Sequence, residues 1–75
     1  MTQSLSDLLQ LKTDELHFIE GALNNLELVH AAQESQKEDG WSYFTGNVIQ
    51  DLKSRAKLLR SHIPSLKTSL GRADQ

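Results

Sequence analysis

Three histidines and ten carboxylates are the groups in this 75-residue chain closest to metal or acid–base chemistry. Two of the histidines follow a carboxylate at helical spacing, in Asp14-x-x-His17 and Glu27-x-x-His30. One turn apart on a helix, such a pair shares a face, as in the carboxylate–histidine pairs of di-iron bundles. That chemistry also needs carboxylates converging from neighbouring helices. The second helical segment, about 42–63, offers only Asp51, out of level with Glu27, and Asp14 and His17 fall on an outer face. The spacing therefore reads as surface pairs plus one histidine in a polar layer, with no metal and no cofactor expected. A nucleophile, a base and an orienting group never share a face, because His17, His30 and His62 lie on different ones, so no enzyme is expected either.

Lys53, Arg55, Lys57 and Arg60 form the one basic cluster. Helical nucleic-acid binders turn such clusters toward phosphates, so Lys53, Lys57 and Arg60 mark a candidate nucleic-acid face. Trp41, Tyr43 and Phe44 hold most of the aromatic content. Trp41 and Phe44 fit the closed end of a helical core, and Tyr43, at an outer position, fits a partner contact.

Two helices must position these groups. In the first segment Leu9, Leu16, Leu23 and His30 recur every seven residues, and Lys12, Ile19, Leu26 and Gln33 follow three positions later. In the second, Ile49, Ala56, Ile63 and Leu70 alternate in the same way with Leu52, Leu59 and Leu66. In heptad terms these are the a and d positions. Apolar residues also occupy g (Leu8, Ala22, Val29, Trp41, Val48) and c (Leu11, Phe18, Ala32, Phe44, Leu58). Positions c, g, d and a are consecutive on a helical wheel, so each stripe spans about half a helix.

Ser4 followed by Asp7 fits an N-terminal cap. The polar run Gln36-Lys37-Glu38-Asp39-Gly40 contains the turn dipeptide Asp-Gly, and a short connection means antiparallel neighbours. Asp39 or Ser42 is the candidate cap of the second helix. Gly46 softens its start, so regular structure is expected from near Thr45. Pro64 cannot continue a helical hydrogen-bond ladder. The predicted layout is helix 1 over about 5–35, a turn at 36–41, helix 2 over about 42–63, a short C-terminal helix at about 64–70 and a frayed tail at 71–75.

Pairing Leu16 with Leu66, Ile19 with Ile63, Leu23 with Leu59 and Leu26 with Ala56 gives facing numbers that sum to 82 and centres the turn near residue 41. Glu20 then approaches Arg60, Glu27 approaches Lys53, and His62 meets Glu15 on the other flank. Charge agrees with this folding. Residues 1–40 hold eight carboxylates against Lys12 and Lys37, and residues 41–75 hold six cations against Asp51 and Asp74. Opposite halves attract. The polar intruders Lys12, His30 and Gln33 fix register and oligomeric state.

One helix can cover a and d of its mate but not c and g as well. Large apolar side chains left in water forfeit about 1.5–3 kcal/mol each, and a chain of this size without cysteine has few other staples. The reading is an all-α, antiparallel two-helix hairpin, with a kink or short third helix after Pro64, that dimerises into a four-helix bundle. Its expected function is non-enzymatic protein–protein interaction, as a small regulator, inhibitor or adaptor. The expected interface is Leu11, Phe18, Ala22, Val29, Trp41, Tyr43, Phe44, Val48 and Leu58, and the partners are a second copy and another protein. In size and layout the chain resembles the small co-chaperones of type III secretion, which implies that the hairpin covers an exposed helix of an aggregation-prone client. The layout also resembles the Rop family of plasmid RNA-binding hairpins, which implies the alternative of a dimer that binds RNA or DNA through the basic face. No small-molecule substrate is expected. Without a basic, apolar leader or a stretch approaching about 20 apolar residues, a cytoplasmic location is expected.

Overall fold

The computed structural model describes residues 4–73, and within them the chain forms two helices, α1 (Leu5–Ser35) and α2 (Asp39–Ala73), packed as a hairpin. Of the predicted frayed tail, residues 71–73 are helical, and Asp74 and Gln75 lie outside the described residues. No helix among the described residues is long and apolar enough to cross a membrane.

α1 starts where the cap signal places it. The Ser4 hydroxyl accepts from the Asp7 amide at 3.1 Å, satisfying one of the amides that a helix start leaves without an internal partner. Asp7 in the first turn also meets the positive end of the helix dipole.

The turn is tighter than predicted and lies earlier. The Glu38 amide donates to the Gln33 carbonyl at 2.9 Å, and the Lys37 amide donates to the Glu34 carbonyl at 3.1 Å. These two bonds make a Schellman motif, which requires a left-handed residue at its penultimate position. That residue is Lys37, with φ of 60°. Gly40, the expected turn residue, is already inside α2, and its φ is not positive. The connection is thus Gln36-Lys37-Glu38 rather than 36–41. The Ser42 amide donates to the Glu38 carbonyl at 2.8 Å, so Glu38 rather than Asp39 or Ser42 takes the N-cap position, and regular structure does not wait for Thr45. A β-carbon in left-handed backbone costs about 1–2 kcal/mol, and glycine avoids that cost. Lys37→Gly should therefore raise the unfolding free energy by roughly 0.5–1 kcal/mol in urea denaturation. An unchanged or lower midpoint would contradict the strain assigned to this residue.

The earlier turn shifts the register by a full heptad. Glu20 meets Arg60 and Glu27 meets Lys53, pairs whose numbers sum to 80, while Glu15 meets Arg55 on the opposite flank with a sum of 70. The register is centred midway, at 75, rather than 82. Leu16 is then level with Leu59, Ile19 with Ala56, Leu23 with Leu52 and Leu26 with Ile49. The core agrees: Ile19, Leu23, Ile49, Ala56, Leu59 and Ile63 are buried, with Leu9, Leu16, Leu26 and Leu52 packed against them. Every one is an a or d residue.

α2 runs unbroken through Pro64, so neither a break nor a separate third helix forms. Proline removes the bond to the Arg60 carbonyl and costs about 3 kcal/mol in a helix interior. Tertiary packing offsets this, since most helix stability in proteins comes from the docked face. Ile63 is buried, and Leu66 and Leu70 are half-buried on the far side of the proline. Pro64 itself is exposed, on the solvent side where stretched carbonyl bonds are tolerated.

At the turn end the core becomes polar. Thr45 is buried and level with His30; Ser42 and Gln33, both half-buried, form the next layer. Gly46 lets α2 come close to His30: a β-carbon at this position would stand 3.4 Å from His30 Nε2. Gln33 Oε1 is buried without a hydrogen-bond partner, an enthalpic cost of the kind that polar layers carry in exchange for a fixed register.

Candidate interaction face

The hairpin measures 57 by 22 by 14 Å. Its two broad faces, each spanned by both helices, differ in chemistry. One carries the e flank of each helix. Here Arg60 Nη2 donates to Glu20 Oε2 at 3.3 Å, and Lys53 Nζ lies 3.7 Å from Glu27 Oε1. Lys57 shares the same shallow hollow. The candidate nucleic-acid residues Lys53, Lys57 and Arg60 are therefore brought together, but interleaved with carboxylates. All four partners of the two bridges are substantially exposed, where such pairs contribute about 0–1 kcal/mol.

The other broad face carries c and g. Phe18 is 75% exposed, Trp41 is 64% exposed, and Leu11, Val29, Phe44 and Leu58 are exposed as well. Tyr43, also 75% exposed, falls at b and stands on the other broad face, where it lines a hollow with His30, Glu34 and Gly46 and does not join the rest of the expected interface. Ala22 and Val48 are half-buried in the groove between the helices. Trp41 and Phe44 meet edge to face, with ring centroids 6.1 Å apart and planes at 88°, a favoured aromatic geometry. With Glu38, Asp39 and Gly40 they line a shallow hollow beside the turn. Within one hairpin Trp41 does not close the end of the core, as the sequence suggested; it stands in the open. Leu28 is 72% exposed, but it sits alone at an outer f position away from this face.

The groove of the apolar face also holds a feature that the sequence reading missed. Arg55 Nε and Nη2 donate to Glu15 Oε2 and Oε1, both at 2.9 Å. This is the planar two-bond match that arginine makes with a carboxylate. Opposite charges at g on both helices were the available signal, obscured because the predicted register paired Glu15 with His62. His62 is exposed and does not take that place. The Arg55 hydrogen bonds, together with the nearby positive charges of Arg55 and Lys12, hold the Glu15 carboxyl below its ordinary 4.5, and the same bonds keep Arg55 charged more firmly. A depressed carboxylate stabilises the folded state fully above its unfolded pKa, and the contribution fades as pH falls through the folded value. In an NMR pH titration the Glu15 carboxyl should give a midpoint below 4.5; a midpoint at or above it would mean that the bridge does not persist in water.

The histidine spacings do not form the pairs that suggested metal chemistry. Asp14 Oδ1 accepts from Gln10 Nε2 at 2.8 Å, His30 Nε2 lies 3.3 Å from Glu34 Oε1, and Glu27 faces Lys53. Among the described residues no three His, Asp or Glu side chains come together to hold a metal ion.

The fold and this face define a helical hairpin with one amphipathic side left open. Set against known protein families, curated proteins and solved structures, the chain gives no significant match. The likenesses to Rop and to secretion co-chaperones are therefore likenesses of layout.

Proposed function

We propose that this protein is a non-enzymatic protein-interaction module, a small regulator, inhibitor or adaptor, which acts by burying its c/g face against another protein surface. The observation that carries this reading is that exposed Phe18, Leu58, Val29, Trp41 and Phe44 all fall on one broad side of the hairpin, with half-buried Ala22 and Val48 and the polar Asn25–Asp51 level between them. Contiguous apolar surface rimmed by polar groups marks association sites, and aromatic residues dominate the energetics of such contacts. Self-association into a four-helix bundle and capture of a client helix, as in a co-chaperone, both use this face. The nucleic-acid alternative is weaker because Glu20 and Glu27 neutralise two of its three cations, and phosphate affinity depends on unneutralised positive charge.

The test combines sedimentation with binding of an anilinonaphthalene sulfonate dye. A working interface either associates or, while unoccupied, binds the dye. A folded monomer that leaves the dye dark would overturn the reading.

A further inference from the structure

The broad apolar face has a layered order that points to its occupant. In the observed register Phe18 is level with Leu58, Ala22 with Val48, Val29 with Trp41 and Ala32 with Phe44. Asn25 is level with Asp51, and Glu15 with Arg55. At these six levels the two helices of one hairpin present matching groups, apolar beside apolar, polar beside polar, anion beside cation; toward the open end Leu11 is level with Ser65 and Leu8 with His62, and the match stops there. A twofold axis running along the helices exchanges the two sides of such a face. It therefore brings each layer onto its own kind in a second copy.

We infer that the occupant is a second copy of this chain, packed broad face to broad face with both turns at the same end, so that α1 of each copy lies over α2 of the other. This rests on the reading of the face as a protein-binding surface. Phe18 then meets the second copy's Leu58, and the Trp41–Phe44 pair meets Val29 and Ala32. Asn25 gains an acceptor in Asp51, and each Glu15 stands between two Arg55 side chains.

Charge selects this arrangement over its alternative. α1 carries six carboxylates against Lys12, and α2 carries six cations against Asp39 and Asp51. With turns together, an acidic helix covers a basic one; helix dipoles alternate in either arrangement, so the side-chain charges decide. With turns at opposite ends, α1 would cover α1 and Arg55 would approach its own copy, a like-charge contact that costs affinity. Size agrees as well. A face of 57 by 22 Å exceeds the about 800 Å² per partner of a standard stable interface. The Glu15–Arg55 bridge enters the interface already paired through two hydrogen bonds, which limits the penalty of drying it.

The chain has no cysteine, so Glu38→Cys, at an exposed turn position, takes a single nitroxide label. Sedimentation equilibrium should give twice the 8.4 kDa chain mass. Electron–electron spin distances between the two labels should fall below about 30 Å, since packed helices lie about 8–10 Å apart. A dimer with labels separated by nearly the 57 Å length of the hairpin would overturn the arrangement. A monomer, or any mass other than the dimer's, would overturn the second copy as occupant. Dye fluorescence then separates the two failures: a monomer that lights the dye keeps the interaction face and loses only the self-pairing, and a dark monomer loses both.

Discussion

Leu59→Ala should lower the unfolding free energy by about 2–5 kcal/mol, the cost of removing a fully packed leucine and leaving a cavity. Leu59 has no exposed surface, and among the described residues only Ala56 is as deeply enclosed. The core around it is a single layer of leucines, isoleucines and Ala56 with little material to collapse into the gap. For a domain of this size the melting temperature should fall by roughly 8–40 °C, since each kcal/mol is worth about 4–8 °C. Circular dichroism melts at fixed concentration read this directly. A fall of less than about 3 °C would show that Leu59 is not the centre of the core.

Phe18→Asp should have the opposite profile, sparing the hairpin and breaking its association. Phe18 is 75% exposed in a single hairpin, so the substitution removes little internal packing, and surface changes of this kind stay within about 0.5 kcal/mol. In a symmetric pair, however, two phenylalanines are lost together, at about 1.5–3 kcal/mol each. That weakens association by roughly 100-fold or more. Leu28→Asp is the control. Leu28 is 72% exposed, nearly the same as Phe18, but it lies off the face, so this substitution should leave the mass unchanged across a dilution series. The contrast isolates location from hydrophobicity. Equal effects at the two positions would mean that association is unspecific.

The fold was legible because periodicity is a direct record of what must be buried. Leu9, Leu16, Leu23 and their partners repeat too regularly for anything but a helix, and among the described residues the fully buried ones are all at a or d. The register was not legible, for an instructive reason. A seven-residue repeat looks the same after a slide of seven, so the pairings of Leu16 with Leu66 and with Leu59 satisfy the stripe equally. The flank pairs did not discriminate either, because Glu20 reaches Arg60 and Glu27 reaches Lys53 in both registers. Only the turn decides, and there Asp39-Gly40 misled. The chain turns at Lys37, whose side chain gives no hint of left-handed backbone. The Glu15–Arg55 bridge was lost with the register, and so were Thr45 and Ser42 as core members opposite His30 and Gln33. Pro64 misled because its local penalty was visible while the docking of Ile63, Leu66 and Leu70 that outweighs it was not. The apolar c and g residues needed no register, since their type alone places them outside what one neighbour can cover.

The three-residue link between the helices also sets an order of events. Residues next to it meet after closing a very short loop, and each layer farther out adds only a small further entropic cost, so the hairpin zips from the His30–Thr45 layer toward Leu5 and Leu70. Faults near the hinge would then slow the search for the native shape, while faults at the open mouth would mainly hasten its release. Stopped-flow rates for Leu26→Ala and Leu66→Ala would reveal the polarity: slower folding in the first, faster unfolding in the second, and the reverse pattern if the zip runs the other way.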